Sequence, residues 1–268
     1  MKAWVPSVVD APLARHWCDR WEDQQQLYAG DREERFESVL DVVQAVRARP
    51  RVIVDLGSGP GSLALRAARR FPDATVVAVD QDPLLLALGT AAHPQLVFVQ
   101  ADIGADGWTM QLAKYAGSID AIISSTALHY PTRKVLDGIY RDCYRLLGTQ
   151  SILVDADQFY PTNDRWRQVL SASDDIRARR TRRAAPEDWD RWWRSAESEP
   201  AFAPLLARRA HEVPAHERDN ELSMEDHVVS MRSAGFVAAG PVWQHGRSAV
   251  IAALTASTPQ IRTDGEPQ

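Results

Sequence analysis

One stretch limits what this chain can fold into more than any other. Val52 to Gly61 reads Val-Ile-Val-Asp-Leu-Gly-Ser-Gly-Pro-Gly, an apolar run passing straight into clustered glycines, and it leads into a helical segment from Ser62 to Arg70. A short apolar run bounded by turn residues is a buried strand, and glycines after it allow backbone angles that other residues resist. The alternation then continues along the chain. Strands are predicted at Thr75–Val79, Leu96–Val99, Ile119–Ser124 and Ser151–Asp155. Helices are predicted at Pro83–Thr90 and at Val135–Leu147, the latter ending on Gly148 as a left-handed cap. Strands alternating with helices imply a parallel, doubly wound α/β sheet.

The flanks have a different character. Leu13–Leu27 reads as a helix, and after the break at Tyr28-Ala29-Gly30 a second helix carries Phe36, Val39, Leu40, Val43 and Val46 at helical spacing. Asp31, three residues before Glu34, suggests a capping box for it. From Gln158 to about Asn220 the alternation stops, and Trp166, Trp189, Trp192 and Trp193 appear among many arginines and prolines. A helix at Met224–Ala234 and strands through Val242-Trp243 and at Ala249–Leu254 resume the core. The expected organisation is a helical cap (1–50), a core (51–157 and 221–256), an insertion forming a substrate lid (158–220) and a flexible tail (257–268).

Composition narrows the function classes. A formal net charge of −5 argues against a protein that binds nucleic acid through its phosphates. The two cysteines, Cys18 and Cys143, are far apart and form no CxxC pair, which suits a reducing cytoplasm and gives no zinc signature. No apolar run approaches the ~18 residues of a membrane span, and residues 1–10 lack the apolar centre of a signal peptide. The expectation is a cytoplasmic monomer or homodimer that acts on a small-molecule substrate, with no nucleic acid, membrane or metal partner. His211-Glu212 and His216 lack a third ligand at a recognisable spacing.

The glycine turn, followed by an acidic residue, Asp80, at the end of the next strand, implies a nucleoside ligand whose ribose hydroxyls that carboxylate accepts. Dinucleotide sites carry a third glycine three residues after the second, but here Gly59 is followed at that distance by Ser62. Asp55 beside the turn is unsuited to a pyrophosphate, yet it suits a ligand with sulfonium and ammonium groups, as in S-adenosylmethionine (SAM). At this point Val54-Asp-Leu-Gly-Ser-Gly-Pro-Gly61 resembles motif I of the class I SAM-dependent methyltransferases. Val79-Asp80-Gln81-Asp82, Gln100-Ala-Asp102-Ile103 and Ile119 to Tyr130 are similar to later motifs of that family, in order.

The resemblance covers roughly Arg51 to Asp155, with Ala234 to Leu254 similar to the family's final hairpin. It implies a Rossmann-like seven-stranded sheet, mostly parallel with one antiparallel strand. It also implies SAM contacts at Asp55, Gly57, Gly59, Gly61, Asp80, Gln81, Asp102, Ile103 and Ser124. Tyr28 and Arg32 or Arg35, of which Arg35 is preferred, are placed to close over the amino-acid part of SAM. The fourth-strand motif lacks the Pro-Pro-aromatic and Pro-Cys strings of DNA-modifying members, which points to a small metabolite methylated on oxygen, nitrogen or carbon.

Methyl transfer from a sulfonium is an in-line displacement that needs positioning more than a nucleophilic residue. His129 and Tyr130, just after the fourth strand, are the catalytic candidates, as general base or as substrate-contacting wall. The insertion's tryptophans and the arginines at 177, 179, 180, 182 and 183 suit an aromatic or acidic acceptor, or a solvated helix face. Rival readings are cyclisation of SAM's own side chain with release of methylthioadenosine, a nicotinamide-dependent oxidoreductase, and a non-catalytic SAM-binding module.

Overall fold

The structure is a computed structural model that describes residues 9–28, 30–181, 187–213 and 219–256. The proposed tail (257–268), Arg182, Arg183 and His216 lie outside the described residues, as does the side chain of Tyr28. Two helices, α1 (Ala11–Tyr28) and α2 (Arg32–Val46), precede the alternating core of β1 (Val52–Leu56), α3 (Ser62–Arg70), β2 (Thr75–Asp80), α4 (Pro83–Ala92) and β3 (Val97–Gln100). A 3-10 turn (Trp108–Tyr115) leads to β4 (Ile119–Ser125), α5 (Arg133–Leu146) and β5 (Leu147–Gln158). The insertion is helical, with α6 (Asp164–Thr181), α7 (Trp189–Glu197) and α8 (Ala203–Glu212). α9 (Met224–Ala234), β6 (Ala238–His245) and β7 (Ser248–Leu254) complete the chain.

The seven strands form one sheet in the order β3-β2-β1-β4-β5-β7-β6, and β7 runs antiparallel to both of its neighbours. The apolar runs read from the sequence are the central strands, and every residue of β1 is buried. Burial on both faces explains why they show no alternation. One face packs Leu136, Ile139 and Tyr140 of α5 with Met231 of α9, and the other packs Phe36, Val39, Leu40 and Val43 of α2 with Leu63, Ala64 and Ala67 of α3.

A third apolar cluster lies off the sheet and joins α1, α4, α7 and α8. Trp17 and Trp21 from α1 meet Trp192 from α7 edge to face at 5.3 and 5.1 Å, and Phe202 closes on Trp17 at 5.1 Å. Edge-to-face packing suits the ring quadrupoles. The insertion's tryptophans therefore do different jobs, since Trp192 is fully buried, Trp189 and Trp193 are half-buried and Trp166 is exposed.

Two local expectations fail. Gly148 is not a left-handed cap, because α5 passes at Leu147 directly into β5, whose first residue pairs with Ile119 of β4. The left-handed residue falls at Gln150 instead, with φ 54° and its N–H bonded to Ala256 O. Asp31 sits at the N-cap of α2 but makes no capping bond. Its carboxylate is taken by Arg177 of α6 at 2.8 Å, while Glu34 accepts from Trp243 Nε1 at 3.1 Å, so tertiary partners outcompete the local box.

Among the described residues, no helix is long and apolar enough to cross a membrane. Trp192 carries the aromatic cluster and its Nε1 has no hydrogen-bond partner, so its replacement is a nearly pure packing loss. Trp192→Ala is expected to cost roughly 3–5 kcal/mol in denaturant-induced unfolding. A cost below about 1 kcal/mol would show that the insertion is not stably docked on α1.

Candidate functional site

The carboxyl ends of β1, β2 and β4 open into a cavity of about 850 Å³, roofed by α1, α7 and α8. That location follows from the topology, since the strand order reverses between β1 and β4 and leaves a crevice there. Its floor is the glycine turn. Gly57, Gly59 and Gly61 have φ of 67°, 56° and 97°, all in the left-handed region. At Gly57 an added Cβ would also lie 2.3 Å from Ala127 Cβ, so the turn closes directly on the loop after β4. Gly61 does not line the cavity. It is the N-cap of α3 and packs on Phe98.

Gly61 brings no side chain to cap α3, and Asp55 of β1 substitutes by accepting from Ala64 N at 3.0 Å. Burial pushes the Asp55 carboxyl up to about 8. Asp80, at the end of β2, accepts from Gly59 N at 2.7 Å and from Asp82 N at 2.9 Å, which fixes its plane, and burial raises it to about 6. Asp55 therefore keeps its proton at neutral pH until a cation approaches, whereas Asp80 is mostly ionised there and suits hydroxyl donors.

Gln81, Asp102 and Ile103 also line the cavity, with Asp102 Oδ1 accepting from Gly104 N at 2.8 Å. Ser124 does not. Strand alternation turns it inward, where its hydroxyl donates to Leu56 O at 2.9 Å, and Ser125 takes the place on the wall. Of the two arginines at the start of α2, Arg32 is on the wall, bound to Glu22 at 2.6 Å and stacked 4.6 Å over Phe36. Arg35 lies behind the wall, fully buried, with its charge facing Asp31, Asp157 and Asp155. Glu22 also accepts from Arg66 of α3 at 3.0 Å and from Ser62, and these cations hold it down to about 2 against its burial. It straps both N-terminal helices to the site.

His129 and Tyr130 line the far end, their ring centroids 4.0 Å apart. His129 Nδ1 lies 2.9 Å from both oxygens of Asp157, a buried residue at the end of β5, and its Nε2 faces Asp219 at 3.9 Å. Burial works against a charged His129, but Asp157 outweighs it and the imidazole titrates above its ordinary value. Burial with Asp157 and Asp219 raises the Tyr130 hydroxyl, so at neutral pH Tyr130 is a donor rather than a base. Asn220 clamps this loop, its N–H donating to His129 O at 2.6 Å and its amide to Leu128 O and Pro131 O at 3.0 Å each. Thr126 on the same wall has φ 53°, an unusual conformation for a β-branched residue.

Sequence reasoning missed Glu22, Thr126, Asp157, Asp219 and Asn220. Only Asp157, two residues beyond the predicted end of β5, carried a local signal. From the insertion, Trp189 and Trp193 reach the cavity, and Arg209 spans it by stacking 4.0 Å over Trp193 while binding Asp82 at 2.6 Å. Arg177 is paired with Asp31 and Asp174, and Arg179 and Arg180 are exposed.

This geometry agrees with what the chain is similar to. Residues 53–150 match a family described as a methyltransferase domain. That match spans 98 of the chain's 268 residues. Among curated relatives, trans-aconitate 2-methyltransferase of Methylobacterium radiotolerans is 38% identical over 88 residues, 32% of this chain and 33% of that one. The enzyme of the same name from Azoarcus sp. is 32% identical over 111 residues, 41% of this chain and 40% of that one. The chain thus matches only about a third to two-fifths of these relatives' length.

Two solved structures share the fold. Human N-acetylserotonin methyltransferase in complex with SAM aligns with a TM-score of 0.54 at 14% identity, over 89% of this chain and 57% of that one. The SAM-dependent methyltransferase SibL in its apo form aligns at 0.53 and 16% identity, over 85% of this chain and 56% of that one.

The raised Asp55 carboxyl gives this site a measurable signature. A cation brought beside Asp55 draws its pKa down from about 8, so SAM binding at pH 7 releases a proton and tightens as pH rises towards 8. Calorimetric titrations in buffers of different ionisation heat are expected to detect that proton, and Asp55→Asn to abolish it. Proton uptake on binding would place the ligand's cation elsewhere.

Proposed function

We propose that this chain transfers a methyl group from SAM to a hydroxyl of a small molecule, with His129 as the general base. The observation that carries this reading is one cavity with the glycine turn and Asp80 at one end and the His129–Asp157 pair at the other. SAM supplies, when bound, a methyl group on an already activated sulfonium leaving group. Asp55, Gly57, Gly59 and Asp80 fit that ligand by charge and by the close backbone approach, and Asp102 and Ile103 are placed for its base.

What the protein adds is position and a proton acceptor. Asp157 binds His129 through Nδ1 and so leaves Nε2 facing the cavity, where it can take a proton from an acceptor hydroxyl as oxygen attacks the methyl carbon. Trp189 and Trp193 on the roof offer flat apolar faces against which an acceptor could be oriented. A volume near the upper end of the roughly 300–1,000 Å³ typical of ligand pockets supports a second substrate beside SAM, rather than cyclisation of SAM or simple sensing.

The acceptor in the relatives' name, trans-aconitate, is a carboxylate, already ionised at neutral pH and in no need of a base. The His129–Asp157 pair favours instead an acceptor that sheds a proton. The net charge of −5 supports a small molecule over nucleic acid, and the buried thiols of Cys18, raised to about 12, and Cys143 support a reducing, cytoplasmic setting.

The test is incubation of the protein with SAM and a panel of phenols, alcohols and trans-aconitate, with S-adenosylhomocysteine and methylated product read by mass spectrometry. S-adenosylhomocysteine is expected only with a hydroxylated acceptor. Methylthioadenosine without any acceptor, or turnover of trans-aconitate alone, overturns the reading. His129→Gln is expected to lower kcat by about 10²–10⁴-fold with SAM affinity unchanged. Because His129 must be neutral to accept a proton and Asp157 raises its pKa, the wild-type rate is expected to climb with pH through a value above that of free imidazole. A flat profile excludes it as the base.

A further inference from the structure

The chemistry above leaves one buried polar cluster unused. Asp155 sits two residues before Asp157 on β5, so both carboxylates face the same side of the sheet. Tyr140 of α5 and His227 of α9 close on Asp155, and all three are buried. Tyr140 Oη lies 2.7 Å from His227 Nδ1 and 3.3 Å from Asp155 Oδ2, and His227 Nδ1 lies 3.5 Å from that same oxygen. Phe159 packs edge-on against the imidazole at 5.0 Å, and Asp155 Oδ1 has no hydrogen-bond partner.

A buried ionised carboxylate with one oxygen unpartnered is costly, and a second carboxylate on the same strand face adds to that cost. We propose that Asp155 is a positioning residue that retains its proton, so that the one negative charge on this face of β5 stays on Asp157 and is committed to His129. In this arrangement the Asp155 hydroxyl donates to Tyr140 Oη, and the Tyr140 hydroxyl donates to the Nδ1 lone pair of His227. The inference rests on the reading of His129 as base.

The charged surroundings agree. Burial, with Asp157 beside it, holds Asp155 above the usual carboxylate range, whereas His129 and Arg35 hold Asp157 below it despite its burial. The other titratable groups facing the pair are Tyr140 and Cys143 from α5, both raised by burial and so protonated at neutral pH, and His227 from α9. Asp219 faces His129, and Asp31 faces Arg35. The competing arrangement is an ionised Asp155 paired with a protonated His227.

Asp155→Asn separates the two, because asparagine mimics the neutral acid at the same size. The His129 pKa, read by NMR titration of its ring on the free protein, and the pH–rate profile are expected to stay within a few tenths of a unit of wild type. A fall of about one unit, as expected when a buried charge is removed near the dyad, overturns the proposal. Should the variant fail to fold, the side-chain carboxyl ¹³C resonance of Asp155 in the wild-type protein decides the matter at pH 7. The shift of a protonated acid supports the proposal, and that of a carboxylate overturns it. Both NMR readings are independent of turnover, so they separate failure here from failure of the methyltransferase reading, which the His129→Gln assay tests.

Discussion

The site depends on one buried hydrogen bond, from the amide of Ala64 at the start of α3 to the carboxyl oxygen of Asp55 at the end of β1. A helix that begins on a left-handed glycine has no capping side chain of its own, and its first amides still need acceptors. By supplying one from the preceding strand, Asp55 fixes the angle at which α3 leaves the sheet. That angle holds Gly57 against Ala127 and brings Gly59 N onto Asp80. The same carboxyl pays for this position with a pKa near 8, which leaves the floor of the cavity primed for a cation.

The other end of the cavity is built differently. The turn that carries His129 is closed by one long backbone bond, from Tyr130 N to Ala127 O at 3.5 Å. The His129 ring is held by Asp157 from the neighbouring strand and its backbone by Asn220, the last residue of the insertion, while Arg35 of α2 adds positive charge behind Asp157. An insertion that supplies the roof thus also tethers the candidate base. Its docking through Trp192, Arg20–Glu187, Arg177–Asp31 and Arg209–Asp82 therefore bears on the placement of His129 as well as on the roof. Of these, the aromatic packing carries most of the energy, because partly exposed ion pairs contribute little.

The sequence by itself determined the strand–turn–helix order, the central strands, and the glycine turn with the two carboxyls beside it. Those features are local: a fully buried strand is mostly apolar, a left-handed turn favours glycine, and Asp55 and Asp80 sit at the strand ends beside that turn. The tertiary structure alone decided which partners the remaining polar groups took. Asp31 and Glu34 form a capping pattern in sequence, yet Arg177 and Trp243 bind them in space. Arg35 looks like a ligand contact at the same helical start as Arg32, but only Arg32 reaches the wall. Asp157, Asp219 and Asn220 lie 28, 90 and 91 residues from His129 and no periodicity links them to it. Hydrogen bonds and charge pairs act over a few ångströms of space whatever the sequence separation, so the acceptor end of the site became legible only once β5 and the insertion had folded against the loop after β4.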